Sequence, residues 1–371
     1  MSNRNATFAG IEQGPIRPPS EAESLLLRVT RNCPWNQCTF CGLYKGETFS
    51  VRPVEDVLRD IDSVRSVIDD LQKGEIRDSS AVDRWSYHTA KAWFENGMTS
   101  VFLQDANSLI IDPDDLIRIL TAVRENFPQV ERITSYARSQ TIAKISVKDL
   151  SRLREAGLNR IHIGMESGSD LILKKIKKGV DKETHIKAGL KVKQAGIELS
   201  EYIMPGLGGV EYSEENAIET ASALNGIDPD IIRIRTLALP DQTGLAADMR
   251  NGLFSRAGDV RIIREMILLL ESLDGIHSTI ISDHIINLLP EVEGRLPDDK
   301  KYMLSVMKNF LALDDVEKMI YIIGRRLGIM RGLHDLNSDS RRRYALDFIL
   351  QNHVEPSNAE AFAAELMKRY I

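Results

Sequence analysis

The chain has 371 residues with 48 basic and 54 acidic side chains, a net charge of -6, so a general polyanion-binding character is excluded and any nucleic-acid contact is confined to a local patch. At 43% hydrophobic and 27% charged it has an ordinary globular composition, and no apolar run approaches the roughly 18 residues of a membrane span. The length accommodates one large domain with an appendage or two domains.

Residues 1–23 carry Gly10, Gly14, Pro15, Pro18 and Pro19 without an apolar stretch, which reads as an irregular leader rather than a signal peptide. The first strand is Leu25 to Thr30. It runs into a loop that holds all three cysteines of the chain, Cys33, Cys38 and Cys41. A closed zinc site takes four ligands and so does a four-cysteine iron–sulfur cluster, so three thiolates suit a cubane cluster with one iron left open. Three unrelated buried thiols, or a zinc site completed by a histidine, are the alternatives. With no disulfide framework, the expected compartment is a reducing cytoplasm.

Apolar residues at Val54, Val57, Leu58, Ile61, Val64 and Ile68 mark a helix after Pro53. Strand two is Ser100 to Gln104, and Asp112-Pro113 starts the next helix. Strand three is Arg132 to Tyr136, followed by a capping box at Ser146 and Asp149. Strand four is Arg160 to Gly164, with a helix from Lys182 to Ala195. Strand five, Glu198 to Ile203, leads into the Gly-rich segment Pro205 to Gly209, after which Ser213 caps a helix. Strand six is Ile231 to Thr236. Alternating units of this kind predict an α/β fold, a partial (βα)6 TIM-like barrel over residues 24–245. In such a barrel the strand ends carry the chemistry. The cysteine loop, Asp105 to Asn107, Tyr136 to Arg138, Glu166 to Gly168, Pro205 to Gly209 and Arg235-Thr236 fall there.

Residues 246–371 read as a mostly helical C-terminal region closing the barrel. Asp259 to Leu273 is a helix and His277 to Ile285 a short β-branched run. Met303, Val306, Met307, Phe310 and Leu311 form one helical stripe, and Val316, Met319, Ile320, Ile323 and Leu327 another. Ser357 with Glu360 caps a last helix ending at Ile371. Asp283-His284 is a candidate catalytic acid/base pair or substrate contact, the alternative being a structural histidine. Lys174, Lys175, Lys177 and Lys178 form a basic cluster, either a solvated turn or a docking patch for an acidic electron donor.

Together the cysteine loop, with Phe40 before the last cysteine, and the segment Leu158 to Ser169 resemble the radical S-adenosylmethionine superfamily over roughly residues 24–245. The resemblance is nearest to the branch of anaerobic coproporphyrinogen oxidases, tRNA methylthiotransferases and the Elongator catalytic subunit. One departure is the four residues between Cys33 and Cys38, where the family's usual spacing has three.

The resemblance implies a [4Fe-4S] cluster on Cys33, Cys38 and Cys41 that chelates S-adenosylmethionine and cleaves it reductively, and a 5'-deoxyadenosyl radical that takes hydrogen from a small-molecule substrate. It places Asp105 and Asn107 at the methionine amine, where the alternative is an Asn/Asp turn. Glu166, with Ser167 beside it, falls at the ribose, where the alternative is a surface glutamate followed by a Ser-Gly turn. Arg138, Arg233 and Arg235 are candidates for the methionine carboxylate, or for pairing with acidic neighbours. Gly206, Gly208 and Gly209 would admit an adenine or substrate, or serve a loop that needs positive φ. The implied electron donor is a flavodoxin or ferredoxin, nucleic acid is disfavoured as a partner, and no membrane association is expected. A porphyrin-directed oxidoreductase and a non-catalytic haem or cluster carrier on the same fold are the alternative functions.

Overall fold

A computed structural model describes residues 10–74 and 83–370. In chain order the strands are β1 Leu25–Arg28, β2 Thr30–Arg31, β3 Ser50–Val51, β4 Ser100–Gln104, β5 Arg132–Ala137, β6 Leu158–Glu166, β7 Glu198–Ile203, β8 Ile231–Ile234, β9 Thr279–Ile281 and β10 Gly294–Arg295. The helices are α1 Val54–Lys73, α2 Arg84–Glu95, α3 Pro113–Asn126, α4 Ser139–Ile142, α5 Val147–Glu155, α6 Asp170–Lys175, α7 Lys182–Gln194, α8 Ser213–Ile227, α9 Gly244–Arg250, α10 Asp259–Ser272, α11 Lys300–Ala312, α12 Asp315–Arg326, α13 Asp339–Gln351 and α14 Ala359–Met367. The α/β class expected from the sequence is the one the chain adopts. Its residues group into two compact units: residues 1–36, 46–163 and 190–199 in one, and residues 37–45, 164–189 and 200–371 in the other.

In the first unit β1, β4, β5 and β6 run parallel, with Leu26 opposite Phe102, Phe102 opposite Thr134 and Tyr136 opposite His162. Val101, Phe102 and Leu103 are all fully buried, as expected where both faces of a parallel strand are covered. The helices over the sheet begin where the caps place them. Asp112 accepts from Asp114 N at 2.9 Å with Pro113 as the first helical residue, and Ser146 Oγ accepts from Asp149 N at 3.0 Å. Helix α1 buries Val57, Ile61, Val64 and Ile68 and stops at Gly74, whose φ of 72° closes the last turn. The first strand is shorter than expected, because the chain breaks at Val29: Thr30 and Arg31 leave β4 and pair antiparallel with Ser50 and Val51. Helix α2, capped by Asp83, is not among the elements expected from the sequence.

In the second unit β7, β8 and β9 are parallel and β10 is antiparallel to β9. The β-branched run after residue 277 is thus a further parallel strand. Helix α10 packs on α8, and α12 packs on α13 and α14. The Met303, Val306, Met307 and Phe310 stripe is buried as core, whereas Val316, in the first turn of α12, is exposed. Two expected caps are not made. Ser213 is the first residue of α8 and donates its hydroxyl to Glu265, and α14 starts at Ala359 with Glu360 accepting from Val260 N instead. Ile371, the expected end of the last helix, lies outside the described residues. No described helix is long and apolar enough to cross a membrane.

Candidate functional site

None of the three cysteines is in a disulfide, and all are of intermediate exposure. At the entry to their loop, Arg28 at the end of β1 grips Asp105 through Nε and Nη2, at 3.0 and 2.7 Å, and Asp105 Oδ2 also accepts from Asn32 N at 3.2 Å. Asn32 directly precedes Cys33, so the fully buried Asp105 fixes where the loop starts. The leader adds a second carboxylate. Glu12 bonds Arg31 at 2.7 and 2.6 Å and pairs with Arg28 and Arg52 at 3.2 Å each. Burial alone would raise the Glu12 carboxyl, but Arg31, Arg52 and Arg28 outweigh it and hold it below the usual carboxylate range.

Asn107 is buried and spent on the fold: its Oδ1 accepts from Arg138 N and its Nδ2 donates to Thr141 Oγ1, both at 2.9 Å. It ties the loop after β4 to the loop after β5. The Arg138 guanidinium lies 5.1 Å from the ring centroid of Trp35, inside the cysteine loop, a cation–π contact. Asp105, Asn107 and Arg138 are therefore all engaged around the loop's first half.

The loop's second half is held by backbone and by one ring. Thr39 N donates to Ile176 O at 2.9 Å, Leu245 N donates to Thr39 O at 2.8 Å, and Phe40 packs on an apolar cluster that includes Ile172, Leu207, Leu237 and Leu245. Those residues follow β6, β7 and β8, so the loops after three strands seat the segment that carries Cys38 and Cys41.

Glu166 ends β6 with a φ of 67°. Its Oε1 accepts from Lys178 Nζ at 3.0 Å, and the same ammonium lies 5.9 Å from the Phe40 ring centroid. Lys178 is thereby separated from the rest of the basic cluster: it is paired and largely buried, while Lys175 lies over Tyr212. Beside this pair stands Glu201 on β7, fully buried, with both carboxylate oxygens lacking a hydrogen-bond partner. Burial, opposed by Lys178 and reinforced by Glu166, pushes its carboxyl well above the ordinary range. The sequence reading passed over Glu201, although an acid between Leu199 and Ile203 on one strand face was a visible signal.

Ser167 donates to Asn216 Oδ1 at 2.6 Å, and Asn216 Nδ2 donates to Glu265 Oε1 at 2.8 Å. Glu265 also accepts from Gly206 N at 2.9 Å and Ser213 Oγ at 2.7 Å. Burial raises its carboxyl to about 7 despite these three donors and Arg261. Gly206 and Gly209 have φ of 87° and 64°, and a Cβ on Gly208 would stand 2.5 Å from Tyr212 O. The glycines are thus required by the turn itself. Arg233 is buried and donates to Asp283 Oδ2 at 2.6 Å, while Arg235 is exposed. Asp283 is turned to Arg233, and His284 Nδ1 accepts from Ile286 N at 3.3 Å.

Among the described residues no three His, Cys, Asp or Glu side chains are gathered in a metal-holding arrangement. The donor chemistry of the cysteine loop nonetheless fits an iron–sulfur cluster: three soft thiols within nine positions, none of them in a disulfide.

Residues 87–221 match the family model of the Radical SAM superfamily, a span that begins after the cysteine loop. Among solved structures, the chain is similar to the archaeal Methanocaldococcus infernus Elp3, at 17% identity over 60% of this chain and 53% of that one, with a TM-score of 0.41. It is also similar to coproporphyrinogen III oxidase (HemN) from Escherichia coli, at 15% identity over 72% of this chain and 54% of that one, TM-score 0.45. A third is the radical S-adenosylmethionine methyltransferase TsrM from Kitasatospora setae, at 15% identity over 63% of this chain and 40% of that one, TM-score 0.45. The chain therefore spans about half the length of the first two and less of the third. No curated protein matches it.

Proposed function

We propose, on the premise that the chain carries a radical SAM domain at residues 87–221, that it is an enzyme which cleaves S-adenosylmethionine reductively and abstracts hydrogen from a small molecule. Cys33, Cys38 and Cys41 would hold a single [4Fe-4S] cluster. Bound there, the cluster supplies the electron that breaks the C5'–S bond.

The observation that carries this reading is the confinement of every cysteine to one anchored loop. Thr39 and Phe40 hold the second half of that loop, and Asp105 holds its entry through Asn32 N–H. Lys178 offers an ammonium for the methionine carboxylate, and Glu166 offers an acceptor for ribose hydroxyls. Glu201, buried and with neither oxygen hydrogen-bonded, is an additional hydrogen-bonding group beside them. The partly buried Phe40 ring and the apolar cluster under it exclude water from that side. The electron comes from a small carrier such as a flavodoxin or ferredoxin.

The test is anaerobic reconstitution with iron and sulfide. The wild-type chain is expected to take up about four irons and to give a reduced-state electron paramagnetic resonance signal that changes on adding S-adenosylmethionine. Uptake that survives replacement of Cys33, Cys38 or Cys41 by alanine, or a signal indifferent to S-adenosylmethionine, contradicts the reading.

A further inference from the structure

The cysteine loop leaves and returns through a two-residue antiparallel ribbon, with Thr30 opposite Val51 and Arg31 opposite Ser50. A ribbon of that length is not stable by itself, so its closure depends on side chains fastened across it. The fasteners converge on Glu12. Its carboxylate takes Arg31 of β2 at 2.7 and 2.6 Å and Arg52, the residue after β3, at 3.2 Å. One carboxylate thus spans both strands at the neck of the loop, and Arg31 stands two positions before Cys33. Arg28 and Arg52 each have a second carboxylate, Asp105 and Asp60, both at 2.7 Å. Neutralising Glu12 leaves Arg31 without the carboxylate to which it is bonded.

Glu12 is itself held by a strap of backbone, residues 10–16. Ile11 N donates to Ser86 Oγ at 2.7 Å, Glu12 N to Asp60 Oδ2 at 3.2 Å and Gly14 N to Gln104 Oε1 at 2.8 Å. Gln104 Nε2 donates in return to the carbonyls of Gly14 and Ile16, at 3.2 and 2.5 Å. Both ends of a fully buried amide at the end of β4 are therefore spent on the strap.

Gly14 lies directly on Asp105: a Cβ added there would stand 2.6 Å from Oδ1. Asp105 in turn accepts from Asn32 N at 3.2 Å. The strap thus reaches the residue before Cys33 by two routes, through Arg31 and Arg52 at the neck and through Asp105 at Asn32.

We propose that residues 10–16 are a working part of the cysteine-loop site and that Glu12 is a positioning residue for Cys33, acting through Arg31 and Arg52 by holding the neck of the loop closed. A thiol held in place beforehand loses less freedom when it becomes a ligand, so the strap pre-organises the first of the three. The link to a cluster rests on the enzyme reading above, whereas the strap itself is tested without cluster or turnover.

In the full chain without added iron, hydrogen exchange of the Asn32 and Cys33 amides is compared among variants. Glu12→Gln, which removes the charge, and Gly14→Val, whose side chain must displace the strap from Asp105, are each expected to speed it about fivefold. Glu12→Asp should recover part of the protection, and Arg17→Gln, exposed in the same leader, should change nothing. Ile119→Val trims a buried residue of α3 and lowers stability by a comparable amount; it too should leave these amides unchanged, whereas a merely structural role for Glu12 predicts equal acceleration. After reconstitution, iron should pass to a chelator faster from Glu12→Gln and Gly14→Val than from wild type or Ile119→Val. Exchange equal in wild type and Glu12→Gln, or accelerated as much by Ile119→Val, overturns the proposal whatever the outcome of reconstitution. Iron loss equal in all four reconstituted chains overturns the role assigned to Glu12 at Cys33.

Discussion

Lys178 Nζ and Glu166 Oε1 stand 3.0 Å apart with side chains only 12% and 13% exposed, twelve positions apart in the chain and joined across the end of β6. The pair lies against the fully buried Glu201. A single ammonium thus serves two carboxyl groups, one of which, Glu201, is pushed well above its ordinary range by burial, an arrangement that is costly to disturb.

Replacing Lys178 by methionine leaves Glu166 without its cation. The expected loss of unfolding free energy is about 2–4 kcal/mol, less than for a wholly enclosed pair because some water reaches it. In Lys178→Met/Glu166→Gln much of that loss should return, since neither charge then remains. Urea denaturation of the two single variants and the double closes the cycle. Additive losses would show that the two side chains do not interact.

Asp105→Asn removes the charge that Arg28 faces. Because Asp105 is fully buried, about 3 kcal/mol of stability should be lost. The exchange protection of the Asn32 amide should fall with it. Glu12→Gln acts on a carboxylate 24% exposed and should cost about 1 kcal/mol. Calorimetric melting of both variants checks the order, and an Asp105→Asn chain as stable as wild type would show that the Arg28 contact is idle.

Glu265 sets a pH dependence. Its carboxyl is raised from 4.5 to about 7 in the folded chain, so folding favours its protonated form. That stabilisation is fully present below about pH 4.5 and is lost as pH rises through 7, amounting to roughly 3 kcal/mol if the whole shift is realised. The stability of Glu265→Gln relative to wild type should therefore rise between pH 4.5 and 8. Parallel stability curves over that range would mean that Glu265 is not displaced from its ordinary titration.

Much of the fold was legible because its signals are local. Ser100 to Gln104 and Glu198 to Ile203 are the strands that alternation predicts, and Asp112-Pro113 starts its helix as capping chemistry requires. What was not legible depends on partners distant in sequence. Nothing near Ser213 shows that its hydroxyl will be drawn to Glu265, 52 positions on, instead of capping α8. Arg233 and Arg235 look alike on a strand, and only the folded chain supplies Asp283 to one and leaves the other open. Asp105 reads as a candidate ligand until Arg28, 77 positions earlier, is seen holding it. The cysteine loop needed no such information, since its content is composition and spacing alone.

The most direct test of the central claim is 5'-deoxyadenosine itself. Anaerobically reconstituted chain, reduced with dithionite and given S-adenosylmethionine, is expected to form 5'-deoxyadenosine, and Cys38→Ala treated in the same way is expected to form none above background. Equal amounts from the two proteins, or none from the wild type with its cluster in place, would contradict the assignment of the three-cysteine loop to reductive cleavage.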